Sequence, residues 1–190
     1  KHIKNIVVHL QSADESFTLI ASAGIANPHE QSPMMPDTPY FIASISKTYT
    51  AAIIMKLYEE GKLNLDAPIA DYLPESVWRG IHVYKGRDHS QQLKVYQLVS
   101  QTSGLPDYFE DKPRGGRSLY EDIKAGALDR AYTLDDVLDR VRTLTPKFEP
   151  DAKEGRKAPY ADTNYHLLGV IIQAVTGQSY ADNLSKYITA

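Results

Sequence analysis

Thr38-Pro39-Tyr40-Phe41-Ile42-Ala43-Ser44-Ile45-Ser46-Lys47-Thr48-Tyr49-Thr50-Ala51-Ala52, continuing through Leu57-Tyr58-Glu59-Glu60-Gly61, is the stretch on which the fold depends. Ile45, Tyr49, Ala52, Ile53, Met55, Leu57 and Tyr58 recur at near-helical spacing, and Gly61 stands where a left-handed residue would close the helix. So many apolar positions predict a helix that runs through the core with contacts on several sides. Ser44 and Lys47 sit at its start, one turn apart on one face. A hydroxyl nucleophile needs a base beside it. A desolvated lysine at a helix N-terminus can serve, because burial and the positive end of the helix dipole both favour the neutral amine. The same tetrapeptide also fits a serine N-cap followed by a surface lysine, so the spacing alone leaves both readings open.

Upstream, Asn5 to Gln11 and Phe17 to Ala23 are β-branched or aromatic-rich runs around the polar cluster Ser12-Ala13-Asp14-Glu15-Ser16, which predicts an antiparallel hairpin. Between Asn27 and Pro39, prolines 28, 33, 36 and 39 and the lack of any period predict an extended connector. Downstream, Asn64 to Pro74 is polar and Pro-containing, and Leu93 to Ser100 reads as a short helix ended by Gln101-Thr102-Ser103-Gly104. Asp107 to Arg117 reads as loop. Thr133, with Asp136 three residues on, starts a helix reaching about Leu144. Thr163 to Thr176 is a further buried helix stopped by Gly177, and Ser179 with Asp182 opens a last one. Two strands are too few for a stable sheet, so the order reads as the opening part of an α+β fold.

Composition removes several function classes. With 21 Lys+Arg against 24 Asp+Glu, a net charge of −3 and no basic run, the 190 residues lack the clustered cations of a nucleic-acid binder. The absence of cysteine excludes a disulfide framework, thiolate metal sites and a cysteine nucleophile, and leaves the redox compartment open. No stretch approaches the roughly 18 apolar residues of a transmembrane segment, and no signal peptide is recognisable. The six histidines show no metal-ligand spacing, which predicts no metal and a surface or packing role. Gly115-Gly116-Arg117 lacks the strand-before, helix-after context of a phosphate loop, and Trp78, Tyr84, Tyr96 and Tyr120 read as packing or rim residues.

The block from Thr38 to Ala52, with its continuation to Leu63-Asn64-Leu65-Asp66-Ala67-Pro68, closely resembles the serine β-lactamase and penicillin-binding-protein superfamily. The nearest branch holds class C β-lactamases, D-Ala-D-Ala carboxypeptidases and related esterases. Leu98-Val99-Ser100-Gln101-Thr102-Ser103-Gly104-Leu105 is similar to that branch's His-Thr-Ser-Gly-Leu segment, with Gln101 where His is usual. Tyr160-Ala161-Asp162, following Phe148-Glu149-Pro150, is similar to its Tyr-x-Asn region, with Asp162 in the Asn position.

The resemblance implies a β-lactamase/transpeptidase-like α+β fold, an antiparallel sheet flanked by helices with a helical region. It implies one incomplete domain over 1–190: hairpin and nucleophile helix in 1–65, a mainly helical region in 66–160, and helices returning toward absent C-terminal strands in 161–190. Ser44 would be the acylated nucleophile, Lys47 the base or proton shuttle, and Tyr160 a second acid/base group. The Ser44 backbone N–H would be one oxyanion donor. Asp162, Gln101 and Tyr108 would line the substrate site, Tyr108 being placed there by its position just after the Gly104 turn. The reaction would be acyl transfer from a small-molecule or peptide substrate, an amide, β-lactam or ester, without a cofactor. Exported relatives imply a periplasmic or extracellular location.

Two departures bear on activity. A carboxylate at 162 would hold Lys47 protonated and make it a poorer base, unless it is turned away or itself neutral, and the change reads as tuning rather than loss. The 190 residues also contain no Lys-Thr-Gly or His-x-Gly tripeptide, the family's third motif, which supplies a second oxyanion donor. Losing one such donor costs roughly 10²–10³ in rate, and without further strands the hairpin and first helix lack a packing surface, so the 190 residues alone are predicted to be inactive or poorly folded unless another copy or a further segment completes them. A non-catalytic binding or sensing module is the alternative that these departures favour.

Overall fold

The computed structural model describes residues 3–126, 130–152 and 158–189. They form two compact units, Lys1–Ala43 and Ser44–Ala190. In the first, β1 (Ile6–Gln11) and β2 (Thr18–Ala23) pair antiparallel in the register Ile6 to Ala23 through Gln11 to Thr18, the predicted hairpin. Its turn is tied by Asp14, whose carboxylate accepts from the Ser16 hydroxyl at 2.8 Å; hydrogen bonds from Ser12 and Ser16 hold its pKa down at about 2. The connector is not wholly unstructured. β3 (Ile25–Asn27) and β4 (Ser32–Pro33) form a small irregular ladder, with Pro33 at its end, where no N–H is required of it.

The second unit is helical. Its longest elements are α1 (Ser46–Glu59) and α6 (Asp162–Thr176). Between them lie α2 (Glu75–Trp78), a tight ladder of β5 (Val83–Tyr84) with β6 (Arg87–Asp88), α3 (Val95–Val99), α4 (Leu119–Lys124) and α5 (Leu134–Thr143); α7 (Tyr180–Leu184) follows. Side-chain capping sets the starts that the sequence marks: Thr133 accepts from the Asp136 N–H while Asp136 accepts from the Thr133 N–H, and Ser179 caps α7 through Asp182. Gly61 and Gly177, both at φ +67°, close α1 and α6.

The core gathers Ile53, Ile54 and Leu57 of α1, Val95 and Leu98 of α3, Val137, Leu138 and Val141 of α5, and Leu167, Leu168, Ile171 and Ile172 of α6. At roughly 1.5–3 kcal/mol for each fully buried side chain, this cluster is the main stabilising term of the unit. Thr50 and Tyr180 join α1 to α7 by a 2.7 Å hydroxyl contact. Helix α1 differs from expectation in one respect. Thr50, Ile53, Ile54 and Leu57 form a single buried stripe, whereas Ile45, Tyr49, Met55 and Tyr58 are exposed. The buried positions follow the i, i+3, i+4, i+7 rule of an amphipathic helix.

Candidate active site

Ser44 lies in a single 3₁₀ turn, Ala43–Ile45, that leads directly into α1, and Lys47 is in the first turn of that helix. Their proximity is therefore local. Tyr160 and Asp162 come from the far end of the unit: Asp162 is the first residue of α6, and α6 packs against α1. The two helix starts meet at four side chains. Ser44 Oγ is 2.7 Å from Tyr160 Oη and accepts from Lys47 Nζ at 3.2 Å. Tyr160 Oη donates to Asp162 Oδ1 at 3.0 Å, and the same oxygen pairs with Lys47 Nζ at 2.5 Å. Lys47 Nζ also stands 5.0 Å from the centroid of the Tyr160 ring and 5.8 Å from that of Tyr165. The result is a closed ring of four side chains in which the Lys47–Asp162 ion pair is one side.

Burial alone would draw the Lys47 pKa down, and it is the largest single influence. The hydrogen bond and charge of Asp162, with the hydrogen bond to Tyr160, outweigh it and raise the pKa above its ordinary value. The anticipated effect of a carboxylate at 162 is thus present in the geometry. Because the folded-state pKa lies above the unfolded one, the lysine's contribution to stability is fully in place at neutral pH. It is lost only as the pH rises through the raised value.

Gln101 holds two segments together. Its Oε1 accepts from the Ala161 N–H at 3.0 Å and from Asn164 Nδ2 at 2.6 Å, so it ties the Gln101-Thr102-Ser103-Gly104 turn to the start of α6. Ser103 Oγ completes the tie by donating to Asn164 Oδ1 at 2.6 Å. Thr163 Oγ1 likewise donates to the Pro106 carbonyl at 2.6 Å and accepts from the Tyr108 N–H at 3.1 Å. The sequence reading passes over Thr163 and Asn164, two polar side chains buried at the start of α6 and hydrogen-bonded there. Asp107, also buried, accepts from the Asp162 N–H at 3.3 Å, and its carboxyl is pushed up chiefly by burial and also by the charge of Asp162. Tyr108 stacks edge-on against His166 with the ring centroids 4.9 Å apart, and its hydroxyl meets His166 Nε2 at 3.1 Å. His166 is one turn beyond Asp162 on α6, so Tyr108 flanks the face that carries the ring. By contrast, His82 and His89 are buried packing residues in edge contact with each other.

Backbone conformation marks the same place. Ala43, Gln101 and Ala158, all non-glycine, have φ of +45°, +60° and +43°, at the start of the turn that carries Ser44, in the turn before Gly104 and two residues before Tyr160. Such conformations cost on the order of 1–3 kcal/mol each and persist where the surroundings fix them. Gly104 (φ +75°) adds a steric demand: a Cβ there would lie 2.7 Å from the Phe148 carbonyl oxygen and 2.8 Å from its ring. Gly104→Ala is expected to destabilise the protein by about 2–4 kcal/mol, the sum of overpacking and the positive φ. A fall in the thermal unfolding midpoint checks it; an unchanged midpoint would show that Phe148 gives way freely.

Among the described residues no group of three or more His, Asp or Glu stands where it could share a metal ion, and no helix is long and apolar enough to cross a membrane.

The beta-lactamase family model matches residues 11–190. The chain belongs to the beta-lactamase family. Protein flp of Staphylococcus aureus (strain COL) is 34% identical to it over 154 residues, 81% of this chain and 26% of flp. The D-amino acid amidase from Ochrobactrum anthropi SV3, solved with D-phenylalanine, superposes with a TM-score of 0.72 at 26% identity, over 99% of this chain and 45% of the amidase. A class C beta-lactamase from Rhodobacter sphaeroides superposes with a TM-score of 0.65 at 26% identity, over 98% and 43% of the two chains. The chain thus spans about a quarter of the curated relative and under half of the solved ones. The β-lactamase/transpeptidase-like fold inferred from the Ser44, Gln101 and Tyr160 segments holds over that span, with helices and small antiparallel ladders.

Proposed function

We propose that the protein is a serine acyl-hydrolase that works through an ester on Ser44. One observation carries this: an exposed hydroxyl at a helix start, held at once by a lysine and a tyrosine, with a carboxylate behind both. Such a hydroxyl has an acceptor for its proton within hydrogen-bond reach, the first requirement of an activated nucleophile. Tyr160 is the group in line with that proton and, later, with the leaving group. Lys47 Nζ, 3.2 Å from Ser44 Oγ, supplies positive charge beside the attacking oxygen. Membership of the beta-lactamase family and likeness to an amidase support amides, β-lactams and esters as substrates. Tyr108 and His166 would form one side of the acyl or leaving-group site.

A second reading, a non-catalytic relative that binds the same ligands, draws on the Lys47–Asp162 ion pair, because a protonated Lys47 is not free to take a proton. Incubating the full-length native protein with a fluorescent penicillin, a D-amino acid amide and a chromogenic ester separates the two. The hydrolase is expected to gain the mass of one acyl group or to turn over at least one of the three. A folded protein that binds the penicillin but shows neither adduct nor turnover would be the binding module.

A further inference from the structure

We propose that Asp162, acting through Tyr160, is the final acceptor of the Ser44 proton, and that Lys47 stays a cation throughout. This rests on Ser44 acting as the nucleophile and specifies where its proton goes. Tyr160 Oη carries a single hydrogen. It donates that hydrogen to Asp162 Oδ1, so in its 2.7 Å contact with Ser44 it can only accept. Ser44 Oγ, already accepting from Lys47 Nζ, turns its own hydrogen to Tyr160. Every hydroxyl hydrogen in the ring therefore points toward the carboxylate before substrate arrives. The amide that the family usually carries at this position could accept the tyrosine hydrogen bond but could not keep the proton; an aspartate can do both.

The step balances without any added group. Ser44 Oγ bonds to the substrate carbonyl carbon as that carbonyl's π electrons move to its oxygen. The Ser44 hydrogen passes to Tyr160 Oη, and the Tyr160 hydrogen passes to Asp162, leaving a neutral acid. On collapse the bond to the leaving group breaks, Tyr160 gives its hydrogen to the leaving atom, and Asp162 returns one to Tyr160. Lys47, paired with Asp162 at 2.5 Å and with its pKa raised, donates hydrogen bonds throughout and has no need to titrate.

The charged and titratable groups that face Asp162 are Lys47 from α1, Asp107 and Tyr108 from the loop after Gly104, Tyr160 from the preceding segment and His166 from the next turn of α6. Lys47 and Asp107 act on Asp162 with opposite sign. Asp107 nevertheless has no route to the Ser44 proton, because its own oxygens take the backbone N–H groups of Phe109 and Asp162.

The test is the pH dependence of Ser44 acylation by a chromogenic ester in the full-length native protein, in Asp162→Asn and in Asp162→Glu, with intact mass confirming one acyl group. Acylation by the native protein is expected to show an acid limb, as the final acceptor becomes protonated. In Asp162→Asn that limb should move up by about 2 pH units or more, because a group of higher pKa must now be deprotonated, and the rate at pH 6 should fall about 10²-fold. Asp162→Glu, which keeps a carboxylate acceptor, should keep an acid limb close to the native one at a lower rate. A limb position does not depend on the fraction of folded protein, so partial misfolding of a variant leaves the outcome readable. An Asp162→Asn limb that coincides with the native one, or a rate that rises as Lys47 is freed, would overturn the relay while leaving acyl transfer on Ser44 standing. A native protein that forms no adduct would overturn both.

Discussion

Ser44→Ala is expected to abolish the acyl adduct and to lower turnover by about 10⁴-fold or more, while leaving the fold intact. The removed atom is one exposed hydroxyl that bonds only to Lys47 and Tyr160 in the ring. Both of those partners keep Asp162, through the 2.5 Å ion pair and the 3.0 Å hydrogen bond, so no buried group is orphaned by the change. Stability should therefore move by less than about 0.5 kcal/mol, the usual range for a surface substitution away from caps and cores. An unchanged unfolding midpoint together with a lost adduct separates chemistry from folding. A variant that still acylates would place the nucleophile elsewhere.

The second large effect belongs to Tyr160. Its hydroxyl connects Ser44 to Asp162, while its ring lies near Lys47 Nζ at 5.0 Å and is half exposed. Tyr160→Phe removes the connection and keeps the ring. Acylation is expected to slow by about 10²–10⁴-fold, the range in which a positioned acid/base group contributes, with the remaining adduct still on Ser44. Because the lost hydrogen bonds are partly solvated, the unfolding midpoint should change little. Single-turnover kinetics with the chromogenic ester reads the acylation step directly. A rate within threefold of native would show that Tyr160 does not carry the proton, and Lys47 would then be left as the group beside Ser44.

What the sequence reveals and what it conceals differ by range. The start of α1, the capping of α5 by Thr133 and Asp136, and the αL stops at Gly61 and Gly177 are legible because each is decided within a few residues of itself. So is the Ser44–Lys47 pair, one turn apart on one helix. The meeting of Tyr160 with Ser44, 116 residues away, has no local signature, and only resemblance to a family brought the two together beforehand. Helices α2 and α4, of four and six residues, carry too few periodic positions to announce themselves. For helix α1 the apolar composition implies contacts on several sides, and the described residues show one buried stripe, Thr50, Ile53, Ile54 and Leu57. Gln101 was legible as a departure from the family and not as a clamp, since its tie to Ala161 and Asn164 depends on how the turn before Gly104 meets α6.

Asp162 carries the greatest consequence. Read as a sequence, it was a departure that threatened the base next to Ser44. In the structure it pairs with Lys47 and receives the Tyr160 hydroxyl, the two contacts on which the proposed relay rests. The strained backbone at Ala43, Gln101 and Ala158 is consistent with a site whose geometry is held by its surroundings.

The most direct measurement is the location of the acyl group. Full-length native protein is incubated with a fluorescent penicillin, quenched in acid to preserve the ester, digested, and the labelled peptide sequenced by tandem mass spectrometry. The expected result is a single label on Ser44, absent from the Ser44→Ala variant. A label on any other residue, or none on a folded protein, would contradict the assignment of Ser44 as the nucleophile.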